Sequence, residues 1–196
     1  MKYVKMLGLA AVAAAALMAL VGVGTASATT LTGVEGKVLA KGSTIHANFV
    51  STKTQPKATL TTEFKNIECE ESTVSGVTTN ETGETVNGEV KSLTFSKCNC
   101  EVKVLKTGTL SINASSVLKS SGAEVTATCS TIFGSVHCIY ATSNTELGSL
   151  KGGTTATLEI SSKDIPRLST NGLCDPTANW DANYSVDNPD TLNVIN

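Results

Sequence analysis

Apolar residues recur at every second position after residue 28, and no stretch there repeats at the helical period. Ile45, Ala47 and Phe49 alternate with His46 and Asn48. Ala58, Leu60, Thr62 and Phe64 share one parity, as do Leu93 and Phe95, and Leu110 and Ile112. Three longer stripes follow: Ala123, Val125, Ala127 and Cys129; Val136, Cys138 and Tyr140; Ala156, Leu158 and Ile160. Trp180, Ala182, Tyr184 and Val186 close the series. Successive side chains of a strand point to opposite faces, so each stripe reads as a half-buried strand. Turn signals separate them: Lys41-Gly42, Asn80 to Gly83, Asn87-Gly88, Ser121-Gly122, Gly152-Gly153 and Asn171-Gly172. About ten short strands at this spacing predict a single antiparallel β-sandwich, jelly-roll or Ig-like, with a closed barrel as the alternative. The stretch from Ile165 to Ala178, with Pro166, Cys174 and Pro176, reads as the longest loop.

The first 28 residues follow other rules. Lys2 and Lys5 form a positive n-region, Met6 to Val23 is apolar and uncharged, and Ala26-Ser27-Ala28 fits a cleavage site. The organisation expected is a signal peptide over 1–28 and one β-sandwich domain over 29–196, secreted or at the cell surface. No membrane insertion is expected to persist after cleavage. Removing Lys2 and Lys5 from 15 basic residues leaves 13 against 17 acidic ones, a net charge of about −4. The basic residues are scattered and the aromatics few, so nucleic-acid binding is not expected. Ser and Thr make up about a quarter of the exported part, consistent with strands that have polar outer faces.

Six cysteines, Cys69, Cys98, Cys100, Cys129, Cys138 and Cys174, are an even set in an exported chain and read as disulfides. Cys98 and Cys100 point to one face of a strand and are too close to bridge each other. A hairpin centred on Phe133-Gly134 would set Ile132 opposite Ser135 and Cys129 opposite Cys138, which favours that bridge. A bridge from Cys100 to Cys129 is the rival. The Cys-x-Cys spacing does not suit a zinc knuckle, and no metal or cofactor is expected.

The search for chemistry yields no catalytic residue. His46 and His137 sit at outward parity, and Gly134-Ser135-Val136 lacks the second glycine of a nucleophile elbow. Glu68, Glu70 and Glu71 around Cys69 read as a solvated strand end. Asn179, Asp181, Asn183, Ser185 and Asp190 imitate a calcium loop, but Tyr184 stands where such a loop needs glycine. Alternation with Trp180, Ala182, Tyr184 and Val186 explains the same spacing as a strand.

Several segments carry a family likeness: Cys98 to Ile112, Ser121 to Thr126, His137 to Tyr140, Gly148 to Gly153, and Trp180. In these the chain resembles small secreted β-proteins of soil actinobacteria. More distantly it is similar to biofilm-matrix proteins once named activators of alkane oxidation. The resemblance implies a β-sandwich at the cell surface or in the matrix and brings no catalytic residues. The function expected is therefore a non-enzymatic surface or matrix protein, self-associating or adhering to matrix polymers. A secreted module for a carbohydrate or small apolar ligand is the alternative.

Overall fold

The computed structural model describes residues 28–132, 134–169 and 172–196. The expected signal peptide lies outside them except for Ala28. Among the described residues the chain is all-β. Its strands are β1 (Thr29–Thr32), β2 (Thr44–Phe49), β3 (Ala58–Thr61), β4 (Asn66–Thr78), β5 (Thr82–Gly83), β6 (Thr85–Cys98), β7 (Glu101–Lys106), β8 (Thr109–Asn113), β9 (Val117–Ser121), β10 (Glu124–Thr131), β11 (Gly134–Ala141), β12 (Thr145–Lys151), β13 (Thr157–Pro166), β14 (Thr177–Asn188) and β15 (Asn193–Ile195). Among the described residues the helical content is one 3-10 turn at Val34–Gly36, and none of their helices is long and apolar enough to cross a membrane.

The expected sandwich gives way to a barrel. The main sheet runs β13-β12-β9-β8-β6-β4-β2-β14, and β13 pairs with β14 from Thr157↔Ser185 to Pro166↔Thr177, which closes it into eight staves. One stave is shared. β2 and β3 follow each other along the same gap, each pairing with β14 on one side and β4 on the other. Closure needs staves that bend, and bulges supply the bends. One lies between Glu146 and Gly148, another between Ser75 and Gly76. Gly148 has φ +147°, and a Cβ there would sit 1.9 Å from the Glu159 carbonyl oxygen. No other residue fits that contact.

Two small sheets complete the molecule. β15-β1-β5 brings Leu31 against the barrel core, and Leu192 packs there too. β11-β10-β7 is a separate antiparallel sheet, and its Val102, Val125, Ala127 and Tyr140 share one cavity lining with the barrel's Leu93, Phe95 and Trp180.

Most stripes behave as their parity requires. Ala47, Ala127, Cys129, Val136, Tyr140, Leu158, Ile160, Ala182, Tyr184 and Val186 are buried. Two segments differ. β3 ends at Thr61, and Phe64 is 42% exposed beyond it, its backbone N–H donating to Asp175 Oδ2 at 2.9 Å. Asn87-Gly88 is no turn but part of β6, with Gly88 paired to Thr78. The turn lies upstream, where Asn80 Nδ2 donates to the Thr82 and Thr85 carbonyls and Asn80 Oδ1 accepts from Asn87 N at 2.6 Å. That side chain does for the connection what a tight Asn-Gly turn would have done.

All six cysteines are paired: Cys69 with Cys98, Cys100 with Cys129, and Cys138 with Cys174. The favoured Cys129–Cys138 bridge is corrected. Thr131 pairs with Gly134, so the β10–β11 register sets Cys129 opposite Val136 and Cys138 opposite Ala127. The offset from the expected register is two residues, which preserves the faces but separates the two sulfurs. Cys98 and Cys100 also do not share a strand: Cys98 ends β6, and Cys100 lies just before β7. Asn99 between them extends the sheet, its N–H donating to Glu68 O, its Oδ1 accepting from Glu68 N, and its Nδ2 donating to Asn66 O. Three disulfides are consistent with an extracellular protein.

Candidate functional site

The inner face of the barrel is built from inward stripes rich in small residues. Ala47, Ala58 and Ala182 are buried there, and Val74, Val90, Leu110 and Leu158 are also inward. Small side chains on the inner face leave space between the walls. Two cavities result, of about 100 Å³ and about 90 Å³. Val74, Val90, Leu110, Leu118 and Leu158 line both, so the two are adjoining chambers of one interior. Engineered apolar cavities of roughly 150 Å³ stay dry and admit benzene or xenon, so the pair is on the scale of a small organic molecule.

Aromatic rings wall the larger chamber. Trp180 is edge-on to Phe95 with centroids 6.0 Å apart, and edge-on to Tyr184 at 6.2 Å. The Tyr184 ring is buried, and its hydroxyl lies 2.8 Å from Ser72 Oγ. Burial pushes the Tyr184 phenol well above its ordinary pKa, and the Ser72 hydrogen bond offsets only part of that. It is a neutral group at physiological pH. Among the described residues no charged side chain lines this chamber.

The wall loses its ladder in two places, beside the C-terminal half of β6 and beside the C-terminal half of β13. The β6–β8 ladder ends at Glu89↔Thr109, followed by one bond from Val90 N to Gly108 O at 3.1 Å. Beyond it, β6 continues to Cys98 with ladder partners only in β4. Leu93 and Phe95 on this overhang are half-buried, and so is Val102 of β7, which lines the same chamber. Here side chains rather than a hydrogen-bonded ladder seal the wall.

The residues that sequence chemistry singled out lie elsewhere. His46 faces outward on β2, with Nδ1 2.6 Å from Asp187 Oδ1, and Asn48 Nδ2 donates to Asp187 Oδ2 at 2.6 Å. Ser75 is opposite His46 in register, yet no hydrogen bond joins them, and neither residue lines either chamber. His137 faces outward on β11, with Nδ1 2.8 Å from Thr128 Oγ1. Glu68 pairs with Lys57 at 3.0 Å and Glu71 with Lys97 at 2.5 Å, while Glu70 is exposed. These acids are a solvated strand face, and the Lys97 ammonium holds the Glu71 carboxyl below its ordinary value. Asn179, Asp181, Asn183 and Ser185 are on β14, a strand rather than a loop, and Asn179 Oδ1 accepts from Asp164 N at 3.1 Å. Among the described residues no group of three His, Cys, Asp or Glu gathers as a metal site would require.

Sequence reasoning named the chamber's Tyr140, Trp180 and Tyr184 but not its aliphatic hydroxyl residues, Ser120, Thr142 and Thr107. Parity does reach two of them: Ser120 shares the inward parity of Leu118, and Thr142 continues the stripe Val136, Cys138, Tyr140.

Comparison with known proteins returns no relation: no family model, no curated protein and no solved structure matches the chain.

Proposed function

We propose that this is a secreted, non-enzymatic binding protein that holds a small apolar molecule inside its barrel. The observation that carries the reading is the pair of adjoining chambers, with aromatic and aliphatic walls and no charged lining in the larger one. A concave apolar interior with a few placed polar groups is what small-molecule sites usually have. Three disulfides brace the strands, two of them at the β6–β7 corner where β6 has ladder partners only in β4. Export, inferred from the N-terminal segment, would place the protein where it meets such molecules outside the cell. Ligand-observed NMR with benzene and cyclohexane tests it. Saturable binding to the wild type, lost when Val90→Phe fills the shared wall, is expected. Equal signals from both proteins would overturn the reading.

A second reading, assembly at the cell surface or in a matrix, has one observation in its favour. The β6 overhang from Lys91 to Lys97 has no ladder partner on the side facing away from β4, and an open edge can pair with another strand. Among the described residues the far half of β13, from Ser161 to Pro166, is likewise paired only on its β14 side. The outer edge of β7 carries Glu101 and Lys103 as an ion pair, which discourages pairing there. Sedimentation that stays monomeric across a hundredfold concentration range would exclude self-assembly by this route.

A further inference from the structure

Thr107, Ser120 and Thr142 line the larger chamber. Gly108 follows Thr107 and lies against the turn at Ser121–Ala123. It has φ +70°, and a Cβ there would fall 2.4 Å from Ala123 N and 2.5 Å from Ser121 O. Without a side chain it lets the segment carrying Thr107 press against the next hairpin.

Ser120, 3% exposed, has its Oγ 2.8 Å from Thr142 Oγ1. Thr142 Oγ1 also accepts from Ala123 N at 3.1 Å. A hydroxyl carries one proton and two lone pairs. The two hydroxyls share one bond, which uses one of their two protons, and the Ala123 bond uses only a lone pair. One proton is left over whichever residue donates. Thr107 is only half-buried, so its hydroxyl adds no buried unpaired donor. A donor left without a partner in an apolar chamber is costly, and a ligand oxygen would satisfy it. A carboxylate would find no cation here, so a charged ligand is disfavoured.

We propose that the ligand is uncharged and carries one acceptor oxygen, as in a small ketone, aldehyde or ester, and that this oxygen docks on the Ser120–Thr142 pair. The proposal rests on the reading of the interior as a binding site and specifies its chemistry.

Cyclopentanone and methylenecyclopentane test it, since they share a shape and differ in =O against =CH₂. Both are titrated by calorimetry into the wild type and into the variant Ser120→Ala/Thr142→Val. The variant is expected to weaken cyclopentanone about fivefold, the worth of one net hydrogen bond. It should leave methylenecyclopentane within about twofold, as an apolar contact requires. Equal losses for both probes would overturn the docking oxygen while leaving the cavity reading intact. Failure of the wild type to bind either probe would overturn the cavity reading itself. Should the variant not fold, the infrared carbonyl stretch of cyclopentanone bound to the wild type decides. A shift below its frequency in hexane supports the proposal, and an unshifted band refutes it.

Discussion

Trp180 stands edge-on to Tyr184, with ring centroids 6.2 Å apart and planes at 83°, both on the inward face of β14. The pair joins the fold to the site, because the same strand that closes the barrel against β13 presents both rings to the chamber. Edge-to-face pairs contribute roughly 0.5–1.5 kcal/mol beyond the area they bury.

Tyr184→Phe keeps the ring contact and removes the hydroxyl. Ser72, itself 3% exposed, then loses its partner. A buried polar group left unpaired costs about 1–3 kcal/mol. Urea denaturation should show that loss, and the double variant Tyr184→Phe/Ser72→Ala should recover part of it. No recovery would mean that the hydrogen bond contributes nothing.

Alkaline pH tests the same residue. Burial raises the Tyr184 phenol in the folded state, and Tyr140 is raised too, by burial first and Asp175 second. In the unfolded chain both titrate near the ordinary tyrosine value of about 10. Above that pH the unfolded state has lost protons that the folded state retains, so stability falls as pH rises. Below it both states are protonated and the contribution is constant. Absorbance at 295 nm should therefore show these phenols ionising together with unfolding, and Tyr184→Phe should flatten the decline.

Gly148→Ala should be among the most damaging single changes. The alanine Cβ would enter the space of the Glu159 carbonyl oxygen at a backbone angle that L-residues avoid. Strain and overpacking each cost about 1–3 kcal/mol, so a loss of several kcal/mol is expected. A melting temperature within a degree or two of wild type would show that the bulge relaxes freely.

The Cys138–Cys174 bridge ties the connection between β13 and β14 to β11. Its 36-residue separation corresponds to about 3.8 kcal/mol of loop-closure entropy. Replacing both cysteines by serine should cost 2–4 kcal/mol and speed proteolysis near residues 167–176. Unchanged proteolysis would show that Arg167 N–H to Pro176 O and the other local bonds hold the connection alone.

The strands were legible because a half-buried strand writes its burial at every second residue. The stripes on β10, β11 and β14 appear in the structure as read. Closure was not legible. Parity says which side chains point inward, but the pairing of β13 with β14 and the sharing of one stave by β2 and β3 depend on contacts between staves. Register was equally hidden: a two-residue offset in the β10–β11 hairpin leaves the faces of Cys129 and Cys138 unchanged, so no pattern of burial could reveal it. The site was half-legible. Ser120 and Thr142 carry inward parity, but hydroxyls in so Ser/Thr-rich a chain do not stand out until the structure sets them against an apolar wall.

The most direct test of the internal site uses Trp180, the chain's sole tryptophan. Its indole lines the larger chamber. Titrating cyclohexane into the protein and following tryptophan emission should give a saturable, one-to-one change in intensity or wavelength. Val90→Phe, which fills the wall between the chambers, should abolish that change while the protein stays folded. Emission that does not respond in the wild type, or responds equally in the filled variant, would contradict a ligand site inside the barrel.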